Sequence, residues 1–225
     1  GIANAVGFFL ENKKDLGVHT EMMTDSMMDL AKKGVITGKY KAYYPGKITF
    51  GFGVGSKELY DFMHRNPMLE SMPIHYINDI NNIAMNDNFI SINNALTVDL
   101  TGQVCSESIG FNMFSSTGGQ LDFVRGARRS KGGKSFIALN SMSVGKSGPI
   151  NRITSTLQPG TVVTTPRSDT QYVVTEYGIA DLWLKGIEDR ARAMIGIAHP
   201  DFRESLEKEA IEAGLISKKV VVAKS

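Results

Sequence analysis

The segment Lys47-Ile48-Thr49-Phe50-Gly51-Phe52-Gly53-Val54-Gly55-Ser56-Lys57-Glu58-Leu59-Tyr60-Asp61-Phe62-Met63-His64-Arg65 changes its hydrophobic period halfway along. Ile48, Phe50, Phe52 and Val54 alternate, which predicts a strand over residues 47–54. Gly55-Ser56 makes the turn, a helix runs over 57–65, and Pro67 closes it. A strand that hands directly to a helix is the building unit of an α/β protein.

The pattern repeats on both sides of this segment. Upstream, Ile2, Val6, Phe9 and Leu10 recur at helical spacing, so a helix is expected from the first residue or before it. A chain that opens on an apolar helix without a Met is expected to be a fragment or a processed product. Leu16-Gly17-Val18 is strand-like and leads into His19-Thr20-Glu21-Met22; Thr24 or Asp25 then caps a helix that Gly34 stops. Downstream, residues 89–100 predict a long strand or a hairpin, and 135–139, 161–165 and 172–175 predict further strands. Ile187, Ala191, Met194, Ile195 and Ala198 mark an amphipathic helix, and Asp201 is expected to cap another. Residues 215–225 look like a frayed tail. The expectation is one α/β domain with a mixed sheet.

Composition narrows the function. The 225 residues are 42% apolar, enough for a sizeable core. With 25 basic and 23 acidic side chains the net charge is +2, which gives no reason to expect nucleic acid. Arg125, Arg128, Arg129, Lys131 and Lys134, with tail residues Lys218, Lys219 and Lys224, are the only basic clusters and are read as solvated loops. No run reaches the ~18–20 apolar residues of a membrane span, so no membrane is expected. The single Cys105 excludes an internal disulfide, and a reducing cytoplasm is the simplest home. The four His lack metal-ligand spacing, so no metal is expected.

Four places offer chemistry. Glu21 is placed between a strand end and a helix start, where α/β sheets present ligands, and a carboxylate there can serve as nucleophile or base. The competing reading is a first-turn acid that complements the helix dipole. Gly51 to Ser56 has glycines that let a backbone approach a ligand ahead of a helix N-terminus, but it lacks both the Walker and the dinucleotide spacing. Ser115 to Phe123, with Gly118-Gly119, can offer backbone N–H groups to an oxyanion; a flexible connection is the alternative. Val173 to Gly178 reads as a buried strand that ends in Glu176, for which Arg152, Arg167 or Lys146 could serve as partner. His199 is read as a cap or packing residue.

These segments together resemble the acetyl-CoA hydrolase/4-hydroxybutyrate CoA-transferase family of class I CoA-transferases, in its C-terminal half. The resemblance is carried by Gly17-Val18-His19-Thr20-Glu21-Met22 with Asp25, by 52–62, and by Ile92-Asn93-Asn94-Ala95 with Val98-Asp99 and Gly102-Gln103. It continues through 118–127, 173–180, Asp189-Arg190-Ala191-Arg192-Ala193 and Ala198-His199-Pro200-Asp201-Phe202. It implies a mixed-sheet α/β domain of NagB/RpiA-like type over residues 1–225, with the N-terminal half absent. It implies further that Glu21 is the nucleophile, that the Gly119 N–H faces the thioester oxyanion, and that Asn78 contacts the pantetheine arm. Glu176 would lie near the catalytic glutamate, with Gly55, Gly118 and Lys146 also at the site. The implied activity moves coenzyme A between an acyl-CoA (4-hydroxybutyryl-, butyryl- or acetyl-CoA type) and a short-chain carboxylate through a glutamyl-CoA thioester.

No cofactor is expected, since coenzyme A is a substrate. The expected partners are the acyl-CoA, the carboxylate and the missing N-terminal half, in a homo-oligomer. This chain alone is expected to fold without turning over. The alternatives are an acyl-CoA hydrolase on the same scaffold and a non-catalytic CoA-binding half.

Overall fold

The computed structural model describes residues 2–145 and 148–218. The chain divides into two compact units, Gly1–Ile92 with Asp122–Lys134, and Asn93–Leu121 with Ser135–Ser225.

The first unit begins with helix α1 (Ile2–Phe9), strand β1 (His19–Met23) and helix α2 (Asp25–Lys32). Strand β2 (Ile48–Gly53), helix α3 (Lys57–Met63) and strand β3 (Leu69–Ser71) follow. The short helices α4 (Ile74–Ile77) and α5 (Ile80–Ala84) lead to strand β4 (Ile90–Asn94), where the chain passes into the second unit. β1 pairs with β2 and β2 with β3, all parallel. Parallel neighbours need crossovers, and α2 and α3 supply them. The core beneath is Met23, Met28, Leu30, Val35, Ile36, Ile48, Phe50 and Leu59. A second cluster joins Ile77, Ile83 and Phe123.

The second unit holds the short strands β5 (Thr97–Asp99), β6 (Val104–Cys105), β7 (Ser108–Ile109) and β8 (Asn112–Met113). Helix α6 (Gln120–Arg129) returns the chain to the first unit. Strands β9 (Lys134–Ala138), β10 (Met142–Gly145), β11 (Gly148–Asn151), β12 (Ile153–Thr154), β13 (Tyr172–Thr175) and β14 (Gly178–Asp181) come next, then helices α7 (Ile187–Ile197) and α8 (Pro200–Glu212). β13 is parallel to β9 and antiparallel to β14, so the pairing is mixed, as expected. α7 packs on β13 and β14 and brings Ala191 and Met194 into the core.

Several local expectations are corrected. Residues 89–100 are neither one strand nor a hairpin, because β5 pairs instead with β12 and β6. Residues 161–165 form no strand: Thr165 makes a single bridge to Val104, while the Val162 N–H donates to the Ser108 hydroxyl, so side chains take the ladder positions. The alternation of β2 buries Ile48 and Phe50 but leaves Phe52 and Val54 exposed. On α1, Phe9 points outward and Gly7 is the buried position. His199, not Asp201, caps α8 by accepting from the Asp201 N–H at 3.3 Å. Of that basic cluster, Arg125, Arg128 and Arg129 lie on α6 and Lys134 opens β9, while Lys131 stands in the exposed turn between them. Of the expected tail, Ile216 is buried and the Ser217 hydroxyl donates to Glu188 at 2.9 Å; residues 219–225 lie outside the described residues.

Two motifs turn out to hold the second unit together. The Asp99 carboxylate accepts from the N–H and hydroxyl of Thr101 and from the N–H and side-chain amide of Gln103, a closed Asx turn. Gly102 inside this turn has φ +91°, and a side chain there would meet Arg190. Arg190 is buried and donates to the carbonyls of Thr101, Leu182 and Arg167 at 2.6–2.7 Å, which compensates its burial.

Candidate active site

Glu21 lies inside β1 rather than after a strand end, two residues before Met23 closes the strand. Period two puts His19, Glu21 and Met23 on one face of the strand; His19 and Met23 are buried there, and Glu21 between them is half-buried. Thr24 and Asp25 then start α2. Glu21 is therefore not a first-turn helix residue, and the helix-dipole explanation of it loses its basis.

The structure brings Glu21 and Asn78 together across 57 residues of sequence: the Asn78 side-chain amide donates to Glu21 Oε2 at 2.9 Å. Asn78 caps the C-terminus of α4. The preceding carbonyl, of Ile77, accepts from His19 Nε2 at 2.7 Å. A carbonyl can only accept, so Nε2 carries the proton and Nδ1 of the neutral ring is an acceptor. The Thr49 hydroxyl, 3.0 Å from Nδ1, is then the donor. Thr49 Oγ1 in turn accepts from Lys41 Nζ at 3.0 Å, and the same ammonium reaches the carbonyls of Val18 and Lys47 at 2.9 Å each.

One polar chain thus runs from Lys41 through Thr49 and His19 to the peptide that carries Asn78. Burial lowers the His19 pKa below its ordinary value; the bond to Ile77 works against this and the Lys41 charge adds to it. Burial also brings the Lys41 ammonium down to about 8. Sequence reasoning named Glu21 and Asn78 but not His19, whose neighbours in the motif gave no sign of which backbone carbonyl it would meet.

A second carboxyl on α6, Asp122, was also missed. Burial raises its pKa; Arg125 opposes this, and the negative charges of Glu21 and Asp79 add to it. Phe123, next on α6, lies with its ring 6.0 Å from that of His19, which fixes this helix against β1.

Gly55 has a reason that lies within the protein. A side chain at Gly55 would collide with the Asp25 carboxylate and with Leu59. Asp25 accepts from the Ser56 N–H at 3.1 Å and from the Ser56 hydroxyl at 2.6 Å, so the anion ahead of α3 is the chain's own. The Ser56 hydroxyl, followed by its N–H, holds the Asp25 pKa below the usual carboxylate range.

In the second unit, Gly118 is exposed and Gly119 buried directly ahead of α6. Glu176 sits in the turn between β13 and β14 and is exposed, which corrects the expectation of a buried carboxylate in need of a cation. Its partner is Ser141, through the N–H at 2.9 Å and the hydroxyl at 2.6 Å. Arg152 instead reaches Ser143, and Arg167 lends its carbonyl to Arg190. Partial burial pushes the Glu176 pKa up, but the Ser141 bonds outweigh this and hold it below the ordinary value. Lys146 lies outside the described residues.

Residues 55–210 match the family described as the acetyl-CoA hydrolase/transferase C-terminal domain. The chain is 54% identical over 208 residues to a 4-hydroxybutyrate coenzyme A transferase of Clostridium kluyveri, across 92% of this chain and 48% of that protein. It is 49% identical to a butyryl-CoA:acetate CoA-transferase of Anaerostipes caccae, across 95% of this chain and 48% of that one. The crystal structure of RipA from Yersinia pestis matches with TM-score 0.90 at 42% identity, over 96% of this chain and 48% of that chain. The chain thus spans about half the length of the curated relatives it matches.

Proposed function

Since the chain belongs to the acetyl-CoA hydrolase/transferase family, we propose that it is the nucleophile-bearing C-terminal half of a CoA-transferase acting on 4-hydroxybutyryl-, butyryl- or acetyl-CoA and a short-chain carboxylate. The observation that carries this reading is the Asn78 amide on Glu21 Oε2 at 2.9 Å. It orients a half-buried carboxylate within a parallel sheet and aims it in one direction.

A carboxylate is a weak nucleophile and a thioester a good electrophile, so orientation and dryness matter more than basicity. Glu21 attacks the acyl-CoA carbonyl; the C–S bond breaks and CoA thiolate leaves a mixed anhydride. The thiolate attacks the glutamyl carbonyl, which expels the acyl group as a free carboxylate and leaves Glu21-CoA thioester. An acceptor carboxylate then runs both steps backwards. Each tetrahedral intermediate carries an oxyanion, and the Gly119 N–H is the donor in this reading. The N-terminal half is the partner that completes the site, and the assembly is a homo-oligomer in the cytoplasm. Relatives about 50% identical that are named CoA-transferases favour transfer over hydrolysis.

The test is mass spectrometry of protein carrying both halves, incubated with acyl-CoA and no acceptor. A CoA adduct mapped to Glu21 and reducible by borohydride is expected, with parallel-line double-reciprocal plots. Intersecting lines, or an adduct on Glu176, would overturn the proposal.

A further inference from the structure

Glu107, between β6 and β7, is a buried acid that this chemistry does not use. Its residue is only 5% exposed. An acid so enclosed needs polar partners to offset lost hydration, and all but one of the partners here, Thr164, belong to one loop. Thr117 Oγ1 donates to Glu107 Oε1 at 2.6 Å, and Thr164 Oγ1 donates to Oε2 at 2.6 Å. The Glu107 backbone carbonyl accepts from the N–H of Phe114 at 2.7 Å and of Ser115 at 3.3 Å. One residue therefore grips both ends of the segment 114–117, which runs straight into Gly118-Gly119.

The grip is itself anchored. Cys105 Sγ bonds with the N–H and the carbonyl of Ser108, which locks the turn that bears Glu107. Thr164 Oγ1 accepts from the Ser106 N–H at 2.9 Å. On the far side of the glycines, Gln120 Nε2 donates to Thr165 Oγ1 at 3.1 Å, beside the same Thr164. The glycine pair is thus held from both flanks, while its own backbone carries no side chain to steady it. Glycine loses more conformational freedom on ordering than any other residue, and an oxyanion donor acts only when its N–H is already aimed.

We propose that Glu107 is a positioning residue: through Thr117 it fixes the backbone of Gly118-Gly119 in the orientation that catalysis requires. This rests on the oxyanion role proposed for Gly119.

The experiment uses protein carrying both halves and reads two quantities for Glu107→Gln, Thr117→Val and Thr117→Ser. The first is hydrogen exchange of the 115–119 amides, which does not depend on the reaction. The second is kcat and KM for acyl-CoA, with Glu21→Ala as the inactive reference. Removing a hydrogen bond to a carboxylate is worth about ten- to a hundredfold. Glu107→Gln and Thr117→Val should each speed exchange in 115–119 by about that factor, with β9 and β13 amides unchanged, and lower kcat at nearly constant KM. The double variant should be no worse than either single one, and Thr117→Ser should restore both readings. Should Glu107→Gln not fold, the Val and Ser pair at position 117 decides alone. Unchanged exchange at 115–119, or additive kcat losses, would overturn the clamp even with Glu21→Ala inactive. An active Glu21→Ala protein would overturn the proposed function instead, and the exchange data would still judge the clamp.

Discussion

Glu21 and Glu107 are two carboxyl groups of one chain, held in opposite ways. Glu21 is half-buried in a strand, and Asn78 steers its Oε2 from a separate helix end. Glu107 is enclosed, and each oxygen meets a threonine hydroxyl. In the first unit the deep polar groups, Lys41, Thr49 and His19, stand one step behind the carboxylate and hold its neighbour. In the second unit the acid itself is the deep group, and what it holds is backbone. On the proposed reading, the acid that reacts stays partly open and is oriented by others, and the acid that orients others is buried and saturated. Burial strengthens hydrogen bonds and also raises the cost of leaving one unmade, which suits a strut and not a nucleophile.

The contrast breaks most sharply at Glu21. Glu21→Ala should abolish CoA transfer and the covalent adduct together, a loss on the order of 10⁴-fold or more in kcat. Glu21→Asp should fall by roughly 10²-fold, since withdrawal of the carboxylate by one methylene misplaces it. A Glu21→Ala protein that keeps its rate, with only a small change in melting temperature, would make Glu21 another structural acid.

Gly119→Val comes next, with a drop of roughly 10²–10³ in kcat, because a side chain there turns the backbone N–H away from the oxyanion. Circular dichroism should show the variant still folded; an unfolded variant, or an unchanged kcat, would count against this assignment.

Asn78→Ala sharpens the steering claim. It removes a hydrogen bond to a carboxylate, and kcat should fall by about ten- to a hundredfold, while Asn78→Gln restores little because its amide sits one methylene too far out. Steady-state kinetics decide this, and equal rates for all three proteins would leave Asn78 without a part in orienting Glu21.

The smallest effect concerns pH. The folded pKa of His19 lies below its ordinary 6.5, so near and below that pH the unfolded chain binds a proton that the folded chain refuses. This contribution to stability is full above 6.5 and is lost as pH falls towards the folded value. Urea denaturation between pH 7.5 and about 5 should show this slope in the wild type. His19→Gln, which keeps a donor for Ile77 without a titrating ring, should flatten it. Parallel pH profiles would show that His19 is not neutral inside the protein.

The α/β class, most of the element order and the segment that carries Glu21 were legible in the residues alone, because period and punctuation are local properties. The change of period over 47–65 became β2 and α3, and 172–175 became β13 with the same bounds. Where side chains replaced the ladder, as at Val162 and Ser108, the same local rules predicted a strand that does not form. Motif residues also divided in ways that sequence does not express. Asp99, Gly102 and Arg190 lock the fold, while Asn78 reaches the candidate nucleophile. That Ile77 offers its carbonyl to His19, that Asp25 fills the space at Gly55 and that Glu107 grips Thr117 are set by the folded arrangement. A hydrogen bond requires its atoms within about 3 Å, and Glu21 and Asn78, 57 residues apart in sequence, reach that distance only once the strand and the helix end have folded together.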